Sequence, residues 1–125
     1  MRYLSDRKNA TGLGSARSGT DHFWEQRLSA IALLVLTPLF IFPLAYNMGD
    51  SYADVRAAYS NPINAIVAIA FFATAFLHFY QGLKVVIEDY VHGRWELVLV
   101  ISMRLISTLL ALVGIFAVLK IAFAG

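Results

Sequence analysis

Three stretches of this chain are too long and too apolar to face water, and that decides what it can fold into. Between Leu28 and Tyr46 there is no Asp, Glu, Lys or Arg. A second run opens at Ile63 and reaches Leu77 before a histidine, His78, interrupts it. A third, from Leu97 to Phe123, holds only Arg104 and, near its far end, Lys120. About 20 mainly apolar residues suffice to carry a helix across ~30 Å of hydrocarbon. Lipid offers no partner to backbone N–H and C=O groups, so a spanning run of this length must satisfy them within a helix. The sequence therefore predicts an all-α membrane protein of three transmembrane helices, at about residues 28–48, 62–88 and 97–123. A polar tail, residues 1–20, precedes them, and the 125 residues form one domain.

Composition points the same way. The chain is 59% hydrophobic and 14% charged, where soluble domains carry roughly 25% charged residues. Its apolar surface is meant for a lipid bilayer and for partner helices. The net charge of +2 does not indicate nucleic acid, because the basic residues gather at segment ends and form no long basic run. No nucleic-acid partner is expected. Without cysteine there is no disulfide framework and no thiolate metal site. The first apolar run starts late and is long enough to span, so it reads as a span rather than a cleavable signal. Gly12, Gly14 and Gly19 make no phosphate loop, since no Lys-Ser/Thr pair follows them at the required spacing.

Local signals place the helix ends. Thr20 or Asp21 can cap the first helix, and His22, Phe23 and Trp24 suit a membrane interface. Pro38 and Pro43 are expected to kink that helix, with neighbours or water satisfying the freed carbonyls. Residues 48–61 read as a polar connection holding a short surface helix from Tyr52 to Tyr59. Ser60-Asn61-Pro62 is a start signal, a capping side chain followed by proline in the first turn. Residues 91–95 are a short return connection.

Charge gives an orientation. Arg2, Arg7, Lys8, Arg17 and Arg27 precede the first span, and Lys84 and Arg94 flank the second connection. The first connection has only Arg56 and the C-terminal end only Lys120. The positive-inside rule then predicts a cytoplasmic N-terminus and a C-terminus on the outer side.

A few polar side chains stand out against this background. His78 lies deep in the second span, where an ionisable residue is costly if charged and marks a functional site by default. Gly82 comes one turn later, about 40° around the helix, and leaves room beside the imidazole for a flat macrocycle. Neutral imidazole is an axial ligand of haem iron, and it also serves as a hydrogen-bonding link between membrane helices. Both readings are open. His22 and His92 lie at segment ends, so ligation by two histidines needs a second chain.

Asp89 and Tyr90 stand about three turns beyond His78, at the interface. A phenol there can donate a hydrogen bond to a quinone carbonyl, and a neighbouring carboxylate can supply protons. The same pair also suits an ordinary interfacial anchor and a solvated helix end. Arg27, at the start of the first span, can pair with a haem propionate or snorkel as a topology marker. Arg104 can do either, or pair with Glu96 or Asp89. Lys84 reads as snorkelling. Trp24 and Trp95 are belt residues, and Phe71, Phe72 and Phe76 pack against lipid or partner helices. No nucleophile–base pair, buried carboxylate pair or HExxH is present, so chemistry by this chain alone is not expected.

With these residues in view, the chain from about His22 onward resembles the small hydrophobic membrane-anchor subunits, of the D type, of succinate dehydrogenase, respiratory complex II. One motif is His22-Phe23-Trp24-Glu25-Gln26-Arg27-Leu28-Ser29-Ala30. The more specific one is His78, Gly82, Asp89 and Tyr90 at the family's spacing. The resemblance implies a subunit that is not catalytic by itself. It pairs with a second three-helix anchor, and the two share one haem b, with His78 as this chain's ligand. It implies that Tyr90 and Asp89 bind ubiquinone beside an iron–sulfur subunit, and that Arg27 lies near the haem propionates. A flavoprotein subunit carrying FAD oxidises succinate, and electrons pass through iron–sulfur clusters to the quinone. Those two cofactors belong to the partners. The setting implied is the bacterial cytoplasmic (inner) membrane, in the tricarboxylic acid cycle and aerobic respiratory electron transport.

Two alternatives stand beside this. The anchor of a fumarate reductase or another b-type quinone enzyme shares the architecture and differs in direction and quinone. A structural membrane adaptor or small transporter subunit, with His78 linking helices and no haem, belongs to a different class.

Overall fold

The structure is a computed structural model describing residues 5–12 and 19–123. Its elements are α1 (Asp6–Thr11), α2 (Gly19–Tyr46), α3 (Tyr52–Ser60), α4 (Pro62–Tyr90) and α5 (Arg94–Phe123). Helices α2, α4 and α5 contain 28, 29 and 30 residues and are long and apolar enough to cross a membrane. At 1.5 Å per residue each is roughly 42–45 Å long, more than the ~30 Å hydrocarbon layer. The three predicted spans lie on these three helices.

The start of α4 follows the sequence signal. Asn61 Oδ1 accepts from the Ile63 N–H at 2.9 Å, and Pro62 occupies the first turn, where its missing N–H costs nothing. Helix α3 begins with a reciprocal cap. Ser51 Oγ accepts from the Asp54 N–H, and Asp54 Oδ2 accepts from the Ser51 N–H. Between α4 and α5, Val91 is extended and Gly93 takes φ +76°, a conformation that suits a residue without Cβ.

Three boundaries differ from expectation. Helix α2 already includes Gly19, so Thr20 and Asp21 lie in its first turn instead of capping it. Asp21 there still complements the helix dipole. At its far end α2 runs through Pro38 and Pro43 and stops at Tyr46. Asn47 closes it, with its backbone N–H and its side-chain Nδ2 both donating to Pro43 O at 3.4 and 2.7 Å. The polar tail is also not uniform: Ser5 Oγ accepts from the Lys8 N–H at 3.3 Å and starts α1. The rest of that tail, residues 1–4 and 13–18, lies outside the described residues.

Helix α4 is central, packing against both α2 and α5, while α3 folds back on α4 and α5. The tight packing is at the end where α3 lies. Ala65 and Ala68 are buried there with Tyr59 and Val118. Phe40 of α2 stacks on Phe71 of α4 at 4.4 Å, and Phe72 meets both edge-on, a favoured aromatic arrangement. Tyr59 donates from its hydroxyl to Phe40 O at 3.3 Å. Small side chains let the backbones approach, which is how membrane helices pack without a hydrophobic drive between them.

Elsewhere the bundle buries little. In the most apolar windows of the three spans only 6%, 11% and 11% of the residues are buried, and many large apolar side chains face outward. Toward the end carrying Gly19, Tyr90 and Arg94 the helices leave two hollows. One, of about 550 Å³, has walls from α2, α4 and α5. The other, more open and about 870 Å³, lies between α2 and α4.

Candidate functional site

Helix periodicity brings polar side chains of α2 and α4 together at the loose end of the bundle. On α2, Gln26 and Ser29 are three residues apart and share a face; on α4, His78, Gln81 and Gly82 do the same. The two faces meet. Ser29 Oγ lies 2.8 Å from His78 Nδ1, 2.9 Å from Gln81 Oε1 and 2.9 Å from Gln26 O. Ser29 and Gln81 are 6% and 3% exposed, and His78 is half-buried. Ser29 Oγ is thus within reach of a carbonyl of its own helix and of two side chains of α4.

For the amide orientation seen at Gln81, counting protons selects one imidazole tautomer. The Ser29 hydroxyl has one hydrogen, and the carbonyl oxygens of Gln26 and Gln81 can only accept it. With the Gln81 oxygen turned to Ser29, the hydroxyl donates to that carbonyl and must accept from the ring. The Nδ1 of His78 then carries the hydrogen, and Nε2 keeps its lone pair. A ring held through one nitrogen with the other left basic is how a protein orients a metal-ligating histidine. The residues therefore fit an axial role. Among the described residues no three His, Asp or Glu side chains converge.

The other candidates stand apart from this cluster. A Cβ added at Gly82 would meet Gln26 Nε2 at 3.9 Å, an ordinary contact, so within the chain this glycine faces α2. Asp89 and Tyr90 end α4 and are exposed, Tyr90 by 81%. No side chain of the described residues bonds the phenol, which leaves its hydroxyl open to an outside acceptor. Arg27 is exposed, with its guanidinium 4.9 Å from the Phe23 ring centroid. It lies two residues from Ser29, about 200° around α2, so the chain does not bring Arg27 to His78. Arg104 pairs with neither Glu96 nor Asp89; it lies 5.5 Å from the Tyr80 ring centroid. Lys84 is 3.5 Å from Glu88, an i,i+4 pair on the surface.

Gln81 is the functional-face residue that sequence reading missed. It sits three residues after His78 inside an apolar helix, and an amide so placed needs a partner. That signal was present in the sequence.

Comparison with known proteins supports one family. The family described as succinate dehydrogenase/fumarate reductase transmembrane subunit matches residues 1–119. A succinate dehydrogenase hydrophobic membrane anchor subunit of Paracoccus denitrificans is 42% identical over 93 residues, covering 74% of this chain and 72% of its own. One from Rickettsia bellii is 34% identical over 113 residues, covering 87% and 88%. A succinate dehydrogenase membrane anchor subunit of Reclinomonas americana is 32% identical over 95 residues, covering 73% and 79%. No solved structure gives a significant match. With three membrane-spanning helices and matches along most of its length, this chain belongs to the succinate dehydrogenase/fumarate reductase transmembrane subunit family.

Proposed function

We propose that this chain anchors succinate:quinone oxidoreductase in the bacterial cytoplasmic membrane, with its N-terminus inside. In this reading His78 gives one axial ligand to a haem b shared with a second anchor subunit, and Tyr90 and Asp89 line the ubiquinone site. The observation that carries it is the 2.8 Å contact between His78 Nδ1 and Ser29 Oγ, which occupies Nδ1 and leaves Nε2 to face a ligand. Arg27 has no carboxylate partner among the described residues; a guanidinium suits a propionate, and on the family resemblance Arg27 is assigned that contact, although within the chain it is turned away from His78. When bound, the haem supplies a one-electron redox centre between the two anchors.

The chain's own part in quinone chemistry is to bind and to move protons. Reduction of a quinone to quinol takes two electrons and two protons. The electrons come from succinate through the flavoprotein and iron–sulfur partners. The Tyr90 hydroxyl donates a hydrogen bond to a quinone carbonyl, and the Asp89 carboxyl stands beside it to pass protons inward from water. Both residues are exposed at one end of α4, which suits a site completed by another subunit.

The test is His78→Ala in the assembled complex. The expected result is loss or a marked shift of the reduced-minus-oxidised b-type spectrum while the subunits still co-purify. An unchanged spectrum removes His78 as the ligand.

A further inference from the structure

The cavity between α2, α4 and α5 is not lined by His78, although Gln81, which bonds Ser29, reaches its wall. Tyr80, on its wall, follows His78 by two residues, about 200° of helical rotation. Neither the proposed haem ligand nor Tyr90 lines the cavity. Apart from Gln81, its polar lining, Arg104, Glu25 and Ser107 included, is not used by the function proposed above.

Two ions in its wall lack counterions. Among the described residues Arg104 of α5 has only the Tyr80 ring as a partner and Glu25 of α2 has none, and both side chains are exposed. Both line the cavity, yet they do not pair with each other. Arg104 is ten residues into α5, roughly 15 Å from its start. If α5 is centred in ~30 Å of hydrocarbon, that depth is inside the layer, where a lone cation calls for a partner. Ser107, one turn deeper on the same wall, is 3% exposed and its hydroxyl has no partner among the described residues. Beyond it the lining becomes apolar, with Phe76, Ala73 and Ala111.

The order along the membrane normal identifies the ligand class. Glu25 precedes Ser29 by four residues, about 6 Å toward the helix ends, and is outermost. Arg104 is level with Tyr80 and comes next. Ser107 follows, and the apolar lobe is deepest. A phospholipid with an amine headgroup has the matching sequence of groups: ammonium outermost, then phosphate, ester carbonyl and acyl chain. We propose that this cavity binds one zwitterionic aminophospholipid. Its ammonium pairs with Glu25, its phosphate with Arg104, and its ester carbonyl accepts from Ser107, while an acyl chain lies along Phe76 and Ala111. The proposal does not depend on haem ligation; it needs only that the three long helices cross a bilayer.

The experiment counts lipids on the purified complex by native mass spectrometry, after detergent stripping and re-addition of defined lipid. Wild type is expected to regain one more phosphatidylethanolamine per copy of this chain than Arg104→Gln or Ser107→Ala. Arg104→Lys is expected to retain it, which separates charge loss from misfolding. Glu25→Gln is expected to keep a phospholipid but to lose the preference for phosphatidylethanolamine over phosphatidylglycerol. Inorganic phosphate alone is expected neither to raise the melting temperature nor to displace the lipid. Equal lipid counts in wild type and Arg104→Gln overturn the proposal. So does stabilisation by free phosphate, or a partner subunit's carboxylate found on Arg104. The b-type spectrum is unaffected by any of these outcomes, so this inference and the haem reading fail separately.

Discussion

Gly114 of α5 lies directly against the ring of Phe72 on α4: a Cβ at Gly114 would stand 2.8 Å from that ring's Cγ and Cδ1. The atoms it would strike are near the root of a ring already packed between Phe40 and Phe71, so the ring cannot swing away cheaply. This contact sets how closely α4 and α5 approach. Gly114→Ala is expected to destabilise the bundle by about 1–3 kcal/mol, the usual cost of overpacking. Adding Phe72→Leu is expected to recover part of that loss, since the two changes share one space. Thermal unfolding of the detergent-solubilised protein and its single and double variants measures this. Strict additivity would mean that the two side chains do not compete.

Ser29 is expected to tune the haem that His78 is proposed to hold. Removing its oxygen by Ser29→Ala leaves Nδ1 of His78 and the buried amide of Gln81 without their common partner. Loss of a hydrogen bond from the ring lowers the basicity of Nε2 and weakens its preference for ferric iron. The haem midpoint potential is therefore expected to rise in Ser29→Ala, by about 59 mV for each tenfold change in relative affinity. Ser29→Thr keeps the hydroxyl and is expected to stay near wild type. A redox titration followed in the visible spectrum checks both. A potential unchanged in the alanine variant would show that Ser29 does not act on the iron.

The architecture was legible in the sequence because lipid admits few folds. Long apolar runs with few or no charges fixed three helices, and Asn61-Pro62 fixed where α4 starts. The ends of α2 were less legible. Asn47 closes that helix through a side-chain bond to Pro43 O, which no periodicity reports, and Ser5 starts α1 without the acidic third residue of a capping box. His78 was visible as a polar residue in an apolar run. Its partners were not, because Ser29 and His78 are 49 positions apart and only the packing of α2 on α4 joins them. The separation of Arg27 from His78 is likewise a matter of helical phase between two helices, which a one-dimensional pattern does not contain.

Tyr90 is expected to matter for quinone and not for succinate. Its hydroxyl is exposed and unbonded within the described residues, so Tyr90→Phe removes one potential donor and little packing. Succinate-driven ubiquinone reduction is expected to fall by tenfold or more, about 1.4 kcal/mol, in line with loss of one hydrogen bond to a bound substrate. Succinate oxidation with an artificial acceptor is expected to persist. Equal loss of both activities would instead indicate failed assembly.

Tyr59 offers a test of the packed end through pH. It lies in α3, outside the three spans, and is buried. Burial raises its pKa above the usual value of about 10, because the charged phenolate is costlier there than the neutral phenol. The folded state thus holds this proton more tightly than the unfolded state does. Its contribution to stability is complete below the unfolded pKa and is lost as pH rises through the folded pKa. Wild type is therefore expected to lose stability above pH 10 more steeply than Tyr59→Phe, which cannot ionise. At neutral pH the order reverses. The variant lacks the hydroxyl that donates to Phe40 O at 3.3 Å and is expected to be weaker by about 0.5–1.5 kcal/mol. The two melting curves, recorded from pH 7 to pH 11, should converge as pH rises. A difference between them that stays constant across that range would mean that the phenol ionises as freely in the fold as in the open chain, and that α3 is not sealed against Phe40.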